Sequence, residues 1–98
     1  MTCDEAISIL RTHEPELRRR GVMHAAIFGS VARQEANANS DIDIMIEIAP
    51  EARIDLFQYV GITHFISDLF PERVDIANRR QLKKWVRPSA ERDAVYAF

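Results

Sequence analysis

The sequence predicts an α/β fold of the α+β kind, a mixed β-sheet with helices mainly on one face. Three observations carry this. Val22–Phe28 is an apolar run of strand length bounded by Gly21 and Gly29. Asp41–Ile48 alternates with period two, with Ile42, Ile44, Ile46 and Ile48 on one face and Asp41, Asp43, Met45 and Glu47 on the other. The segments around these strands have helical spacing and helix-end chemistry, and strands separated by helices bury their apolar faces in layers. With 98 residues, 47% of them apolar, the length prior gives one domain, 1–98. Such a domain buries roughly two-thirds of its unfolded surface.

The elements follow in order. Thr2 with Glu5 forms a capping box, and Ala6, Ile7 and Leu10 share the buried face of the helix it opens. Pro15, tolerated at a first helical position, opens a further turn through Glu16–Arg20 that stops at Gly21. After the strand Val22–Phe28, Ser30 is expected to cap a short helix, Val31 to about Ala36, and Asn37–Ser40 is turn chemistry. Pro50 is expected to start one long helix reaching about Phe70, with Phe57, Gly61, Phe65 and Leu69 four residues apart. Gly61 costs that helix about 1 kcal/mol against alanine, so close packing or a break is expected there. Pro71 disfavours helical geometry at Phe70 and ends it. Arg73–Ala77 reads as a short strand, Gln81–Val86 as helical, and Val95–Phe98 as a final edge strand.

Composition excludes several classes. Thirteen Lys+Arg against fifteen Asp+Glu give a net charge of −2, which argues against a dedicated nucleic-acid binder. The single cysteine, Cys3, rules out an internal disulfide framework and suits a reducing cytosol. Asp4 and Glu5 stand where a signal peptide needs positive charge. No apolar run approaches the roughly 20 residues of a membrane helix. The expectation is a cytoplasmic protein.

Chemistry concentrates at Gly29, Ser30, Asp41 and Asp43, with ten residues, Val31 to Ser40, between the two pairs. A strand ends at Phe28, the chain turns at Gly29, and a helix begins. Glycine lets backbone approach a ligand, and a helix start offers unpaired N–H groups to a phosphate. Asp41 and Asp43, two apart in a strand, leave the sheet on one face. Two such carboxylates repel each other, and a hard divalent cation such as Mg²⁺ removes the conflict while also binding substrate phosphates. Asp75, in Arg73-Val74-Asp75-Ile76, supplies a third carboxylate between apolar neighbours that face the other side. Two metal ions held this way clamp both oxygens of a phosphoryl displacement.

Gly29-Ser30, ten residues, then Asp41-x-Asp43 resembles the signature of the DNA polymerase β-type nucleotidyltransferase superfamily. The string IFGSVARQEANANSDIDIMIEI resembles its minimal members, the MNT proteins, which occur as antitoxins beside HEPN-domain toxins. RVDIA is similar to the family's third-aspartate strand, and DAVYAF to its C-terminal end. The four fixed residues arise by chance in roughly one chain in a thousand of this length. The resemblance implies a nucleotidyltransferase fold, Gly29 and Ser30 at the triphosphate, Asp41 and Asp43 as metal ligands, and Asp75 for metal and acceptor activation. Gln34 departs from the pattern, standing where many relatives have glycine, and this affects only how the short helix ends.

Other residues carry less. Arg33, one turn into the short helix, is within reach of a phosphate, and a solvated surface arginine explains it equally well. Arg18, Arg19 and Arg20 complement a helix C-terminus. Arg79, Arg80, Lys83, Lys84 and Arg87 surround Trp85, read as a solvated helix with the indole inward. His13, His24 and His64 have no metal spacing, and Cys3 has no basic neighbour to activate it.

The resemblance implies Mg²⁺-dependent transfer of AMP from ATP onto a tyrosine of a HEPN ribonuclease toxin, with release of pyrophosphate. Two other readings stay open: an antitoxin that blocks its toxin by occlusion alone, and a nucleotidyl-transferring subunit acting on a small molecule. Little of a 98-residue chain is left to bind an acceptor. The apolar stripe of 51–70 and the basic segment Gln81–Arg87 are therefore candidate docking surfaces for a partner or a second copy.

Overall fold

The computed structural model describes residues 1–35, 37, 40–84 and 86–98. Helix α1 (Cys3–Thr12) opens on the expected capping box, in which the Glu5 N–H donates to Thr2 Oγ1 at 3.1 Å. Helix α2 (Glu14–Arg19) has Pro15 in its first turn and stops where Gly21 takes φ +104°. Strand β1 (Val22–Phe28) leads into the four-residue helix α3 (Gly29–Ala32), and β2 (Ile42–Ile48) runs back beside β1. Helix α4 (Leu56–Asp68) then carries the chain across to β3 (Val74–Asn78), parallel to β2. A parallel pair needs such a crossover. Helix α5 (Arg87–Asp93) precedes β4 (Val95–Tyr96), an edge strand antiparallel to β1. The sheet order is β3-β2-β1-β4, mixed as expected.

Register sorts the two faces. Ala25 and Ile27 of β1, Ile42, Ile44 and Ile46 of β2, and Val74 and Ile76 of β3 turn to one side. There they join Ala6, Ile7, Leu10, Leu17, Ile62, Ile66 and Phe70 in one apolar cluster, so α1, α2 and α4 cover this face. Asp43, Met45 and Glu47 face the other way, beside Asp75 and Ala77 of β3. Part of that second face is covered too. Helix α5 lies against β1 and α3, and Ala26, Met45 and Ala90 are buried outside the main cluster.

Five expectations need correction. Ser30 does not cap α3: the helix starts at Gly29, with Phe28 in the capping position and no side-chain cap bond. It ends at Ala32, well short of Ala36, which lies outside the described residues. The long helix from Pro50 is also broken. Pro50–Ala52 is a single 3₁₀ turn, Arg53 adopts left-handed geometry at φ 31°, and α4 starts afresh behind Asp55. A second capping box explains the restart, since the Gln58 N–H donates to Asp55 Oδ1 at 2.7 Å and Gln58 Oε1 accepts the Asp55 N–H at 2.8 Å. Gly61 is neither a break nor a close-packing point, because a Cβ there would meet open space. Finally, Gln81–Val86 is not a helix. A 3₁₀ turn covers Arg79–Gln81, and the helix begins at Arg87 with Pro88 in its first turn. The inward packing expected of Trp85 falls outside the described residues.

Candidate active site

The end of β1, the start of α3 and the acidic face of β2 meet at one end of the two central strands. Phe28 pairs with Asp43, so Gly29 turns directly beside that aspartate. Gly29 has φ +70°, a left-handed conformation that favours glycine. A Cβ on it would collide with Asp43 Oδ2 and lie 3.0 Å from Asp43 Cγ. Backbone and carboxylate thus occupy adjoining space, and only glycine leaves room for both. The first N–H groups of a helical turn have no intrahelical acceptor. At this turn they belong to Gly29, Ser30 and Val31.

Asp43 and Asp75 are register partners across the parallel β2–β3 pair and project from the same face. Asp41, just ahead of β2, lies two residues from Asp43, and its carboxylate is 4.0 Å from Arg73 Nη1. Burial is the first cause that pushes the Asp43 carboxyl above its ordinary range. The charges of Asp75 and then Asp41 push the same way, and Arg33 pulls weakly against them. Asp43 is therefore close enough to both other carboxylates to feel their charge. Among the described residues, no three acidic, histidine or cysteine side chains are grouped closely enough to hold a metal ion by themselves. The donor set nonetheless fits a hard cation such as Mg²⁺, which prefers oxygen and completes its shell with water and substrate phosphate. Asp75 is exposed and Asp41 and Asp43 are partly so, which leaves all three carboxylates in reach of solvent.

The structure thus brings Gly29, Ser30, Asp41, Asp43 and Asp75 to one end of the strands. Arg33 follows α3 and is already engaged: its Nε donates to Glu35 Oε2 at 3.1 Å and its Nη1 to Asp93 Oδ2 at 2.8 Å. The sequence reading missed Asp93, because its partner is 60 positions away and no local pattern links them. It also missed Glu91. That residue accepts from Arg87 Nε at 2.8 Å and Arg79 Nε at 3.0 Å, while Arg79 Nη1 reaches Glu47 at 3.3 Å. The spacing of Arg87 and Glu91, with Pro88 between, was a usable helix signal.

Residues set aside have local explanations. Arg18 pairs with Glu14, and Arg19 and Arg20 pair with Glu16, while Arg18 and Arg20 also stack over Phe98 and Phe65. Burial, with Asp4 second, pushes the Cys3 thiol up, which makes it a poor nucleophile. A cavity of about 770 Å³ lies at the opposite end of the strands, lined by Arg18–Arg20, Gly21, Phe57 and Gly61. Glu51 and Asp55 also line it, but Asp41, Asp43, Asp75 and the Gly29 turn do not, so size alone does not make it the reactive centre. No helix among the described residues is long and apolar enough to cross a membrane.

Known proteins sharing these features agree on the class. Residues 10–97 match the nucleotidyltransferase domain. The chain is 34% identical over 97 residues to the protein adenylyltransferase MntA of Thermococcus cleftensis, covering 98% of this chain and 96% of that one. A solved chain described as a minimal nucleotidyltransferase superposes with TM-score 0.78 at 26% identity, covering 97% and 95%. Two more distant chains share the fold alone. One is from a toxin–antitoxin structure with AMP-PNP, with TM-score 0.68, 18% identity, and coverage of 90% and 72%. The other is from tri-AMPylated Shewanella oneidensis HEPN toxin in complex with MNT antitoxin, with TM-score 0.63, 15% identity, and coverage of 94% and 71%. Likeness along nearly the whole chain, in sequence and in fold, gives one conclusion: this protein belongs to the nucleotidyltransferase domain family, and nucleotidyl transfer is its class of reaction.

Proposed function

We propose that this chain is a cytoplasmic protein adenylyltransferase, the antitoxin that moves AMP from ATP onto a tyrosine hydroxyl of a HEPN-family toxin. The observation that carries the reading is the packing of the Gly29 turn against Asp43, with Asp75 in register beside it. It supports a reading in which the turn binds phosphate and the carboxylate face beside it takes a cation. In this reading Gly29 and Ser30 orient the β- and γ-phosphates, and Arg33 contributes a further cation. Asp41, Asp43 and Asp75 would hold Mg²⁺, two ions in the full site, which would supply charge stabilisation for the displacement. Asp75 accepts the proton of the attacking hydroxyl. The new bond joins that oxygen to the α-phosphorus, the bond from the α-phosphorus to the bridging oxygen breaks, and pyrophosphate departs with the electron pair. The name of the Thermococcus relative and the AMPylated toxin in the Shewanella complex support the donor and the partner.

Residues 1–98 act here as one minimal domain, with acceptor recognition completed by the partner. Leu56, Phe57 and Val60, 71%, 85% and 41% exposed along α4, offer an apolar docking face. Co-expression with the HEPN partner should give a stable complex. Incubation with ATP and Mg²⁺ should then add mass to the toxin in adenylyl steps on tyrosine and abolish its nuclease activity. Neutralisation that survives Asp41→Asn with no added mass would establish occlusion instead.

A further inference from the structure

We infer that Asp93 is a positioning residue for the nucleotide: it holds the Arg33 guanidinium beside the Gly29-Ser30 turn. The inference rests on the adenylyltransferase reading and deepens it. Arg33 sits one helical turn after Gly29, whose carbonyl accepts the Arg33 N–H at 3.1 Å. An arginine at the end of so short a helix, left alone, samples many rotamers and must be ordered when ligand binds.

Two carboxylates restrain it, and they are not equivalent. The Glu35 side chain is 65% exposed and screened by water, whereas that of Asp93 is 16% exposed. Asp93 is itself fixed. It ends α5, whose Ala90 is buried, and Arg79 ties Glu91 of α5 to Glu47 of β2. Helix α5 is thus a braced arm that carries a carboxylate from the C-terminal region to the phosphate turn. A guanidinium has five N–H donors in a planar fork. With Nε and Nη1 engaged by carboxylates, further donors stay available to an anionic ligand, already aimed.

The test compares ATP·Mg²⁺ affinity and steady-state transfer for the wild type, Asp93→Ala, Asp93→Glu, Arg33→Met, the Asp93→Ala/Arg33→Met pair, and Glu91→Gln. Asp93→Ala should raise Kd and KM for ATP about tenfold, the size of one hydrogen bond to a charged group, with kcat within about twofold. Asp93→Glu should recover part of the loss. In the Arg33→Met background, Asp93→Ala should add nothing. Glu91→Gln removes one brace of α5, two residues before Asp93, and should weaken ATP affinity by clearly less than Asp93→Ala does. Wild-type affinity in Asp93→Ala, additive losses in the pair, or an equal loss in Glu91→Gln would each overturn the assignment. The last result would mean that α5 acts only as structural support. A wild type that binds no ATP at all would instead sink the adenylyltransferase reading, and this inference with it.

Discussion

Asp43 carries conflicting demands, since it is half-buried and close to two other carboxylates. Its raised pKa means that the fold penalises the charged form. The destabilisation is fully present above the folded pKa and is relieved as pH falls through it. Asp43→Asn removes the charge at nearly constant volume. In chelator at neutral pH the variant should therefore melt a few degrees above the wild type, while transfer falls at least about a hundredfold. Near wild-type transfer would show that Asp43 is not a ligand. Gln34 offers a second test at this scale. It adopts φ +60° just after α3, a conformation costing an L-residue about 1–2 kcal/mol, and it stands where the family pattern has glycine. Gln34→Gly should raise unfolding free energy by about 0.5–1 kcal/mol without changing transfer, checked by urea denaturation.

Helix α5 is short, and it meets the rest of the molecule through buried Ala90 and through the Arg79 and Arg87 pairs to Glu91. The Arg87 guanidinium first, and Arg79 after it, hold the Glu91 carboxyl below the usual carboxylate range, against a smaller opposing effect of burial. Stability from that shift is present above the ordinary carboxylate value and is lost as pH falls through the lowered one. Glu91→Gln should accordingly be less stable than the wild type at neutral pH, with the gap closing as pH falls below the carboxylate range. Equal stability of the two proteins at neutral pH would mean that the pairs are spectators. The same element shows where sequence patterns run out. The expected helix Gln81–Val86 is absent and the helix lies later, from Arg87, where Pro88 opens it and Arg87 reaches Glu91. Likewise, the apolar spacing from Phe57 to Leu69 hid a break at Arg53, although Asp55 and Gln58 were a legible capping box.

At the scale of the whole molecule, the sheet separates its work by face. One side of β2 is buried under α1, α2 and α4, and the other presents carboxylates at the end where β1 stops. A carboxylate face repels a polyphosphate, so the protein should bind ATP well only when a divalent cation bridges the two. Calorimetry should show ATP affinity at least about tenfold weaker in EDTA than in Mg²⁺. Equal affinity in both would sink the metal-bridged site.

The sequence by itself determined the two central strands, the first capping box and the pairing of a Gly-Ser turn with an Asp-x-Asp strand. These are local: a period-two alternation fixes which residues share a face, and glycine or a cap fixes where an element ends. Tertiary structure decided what no spacing encodes. Only strand register sets Asp75 beside Asp43 and brings the Asp43 carboxylate against Gly29, which makes that glycine sterically obligatory. Only the packing of α5 against β1 and α3 gives Arg33 its less exposed partner, because Asp93 lies 60 positions away. Contacts between distant segments depend on how faces pack, and packing is a property of the assembled chain.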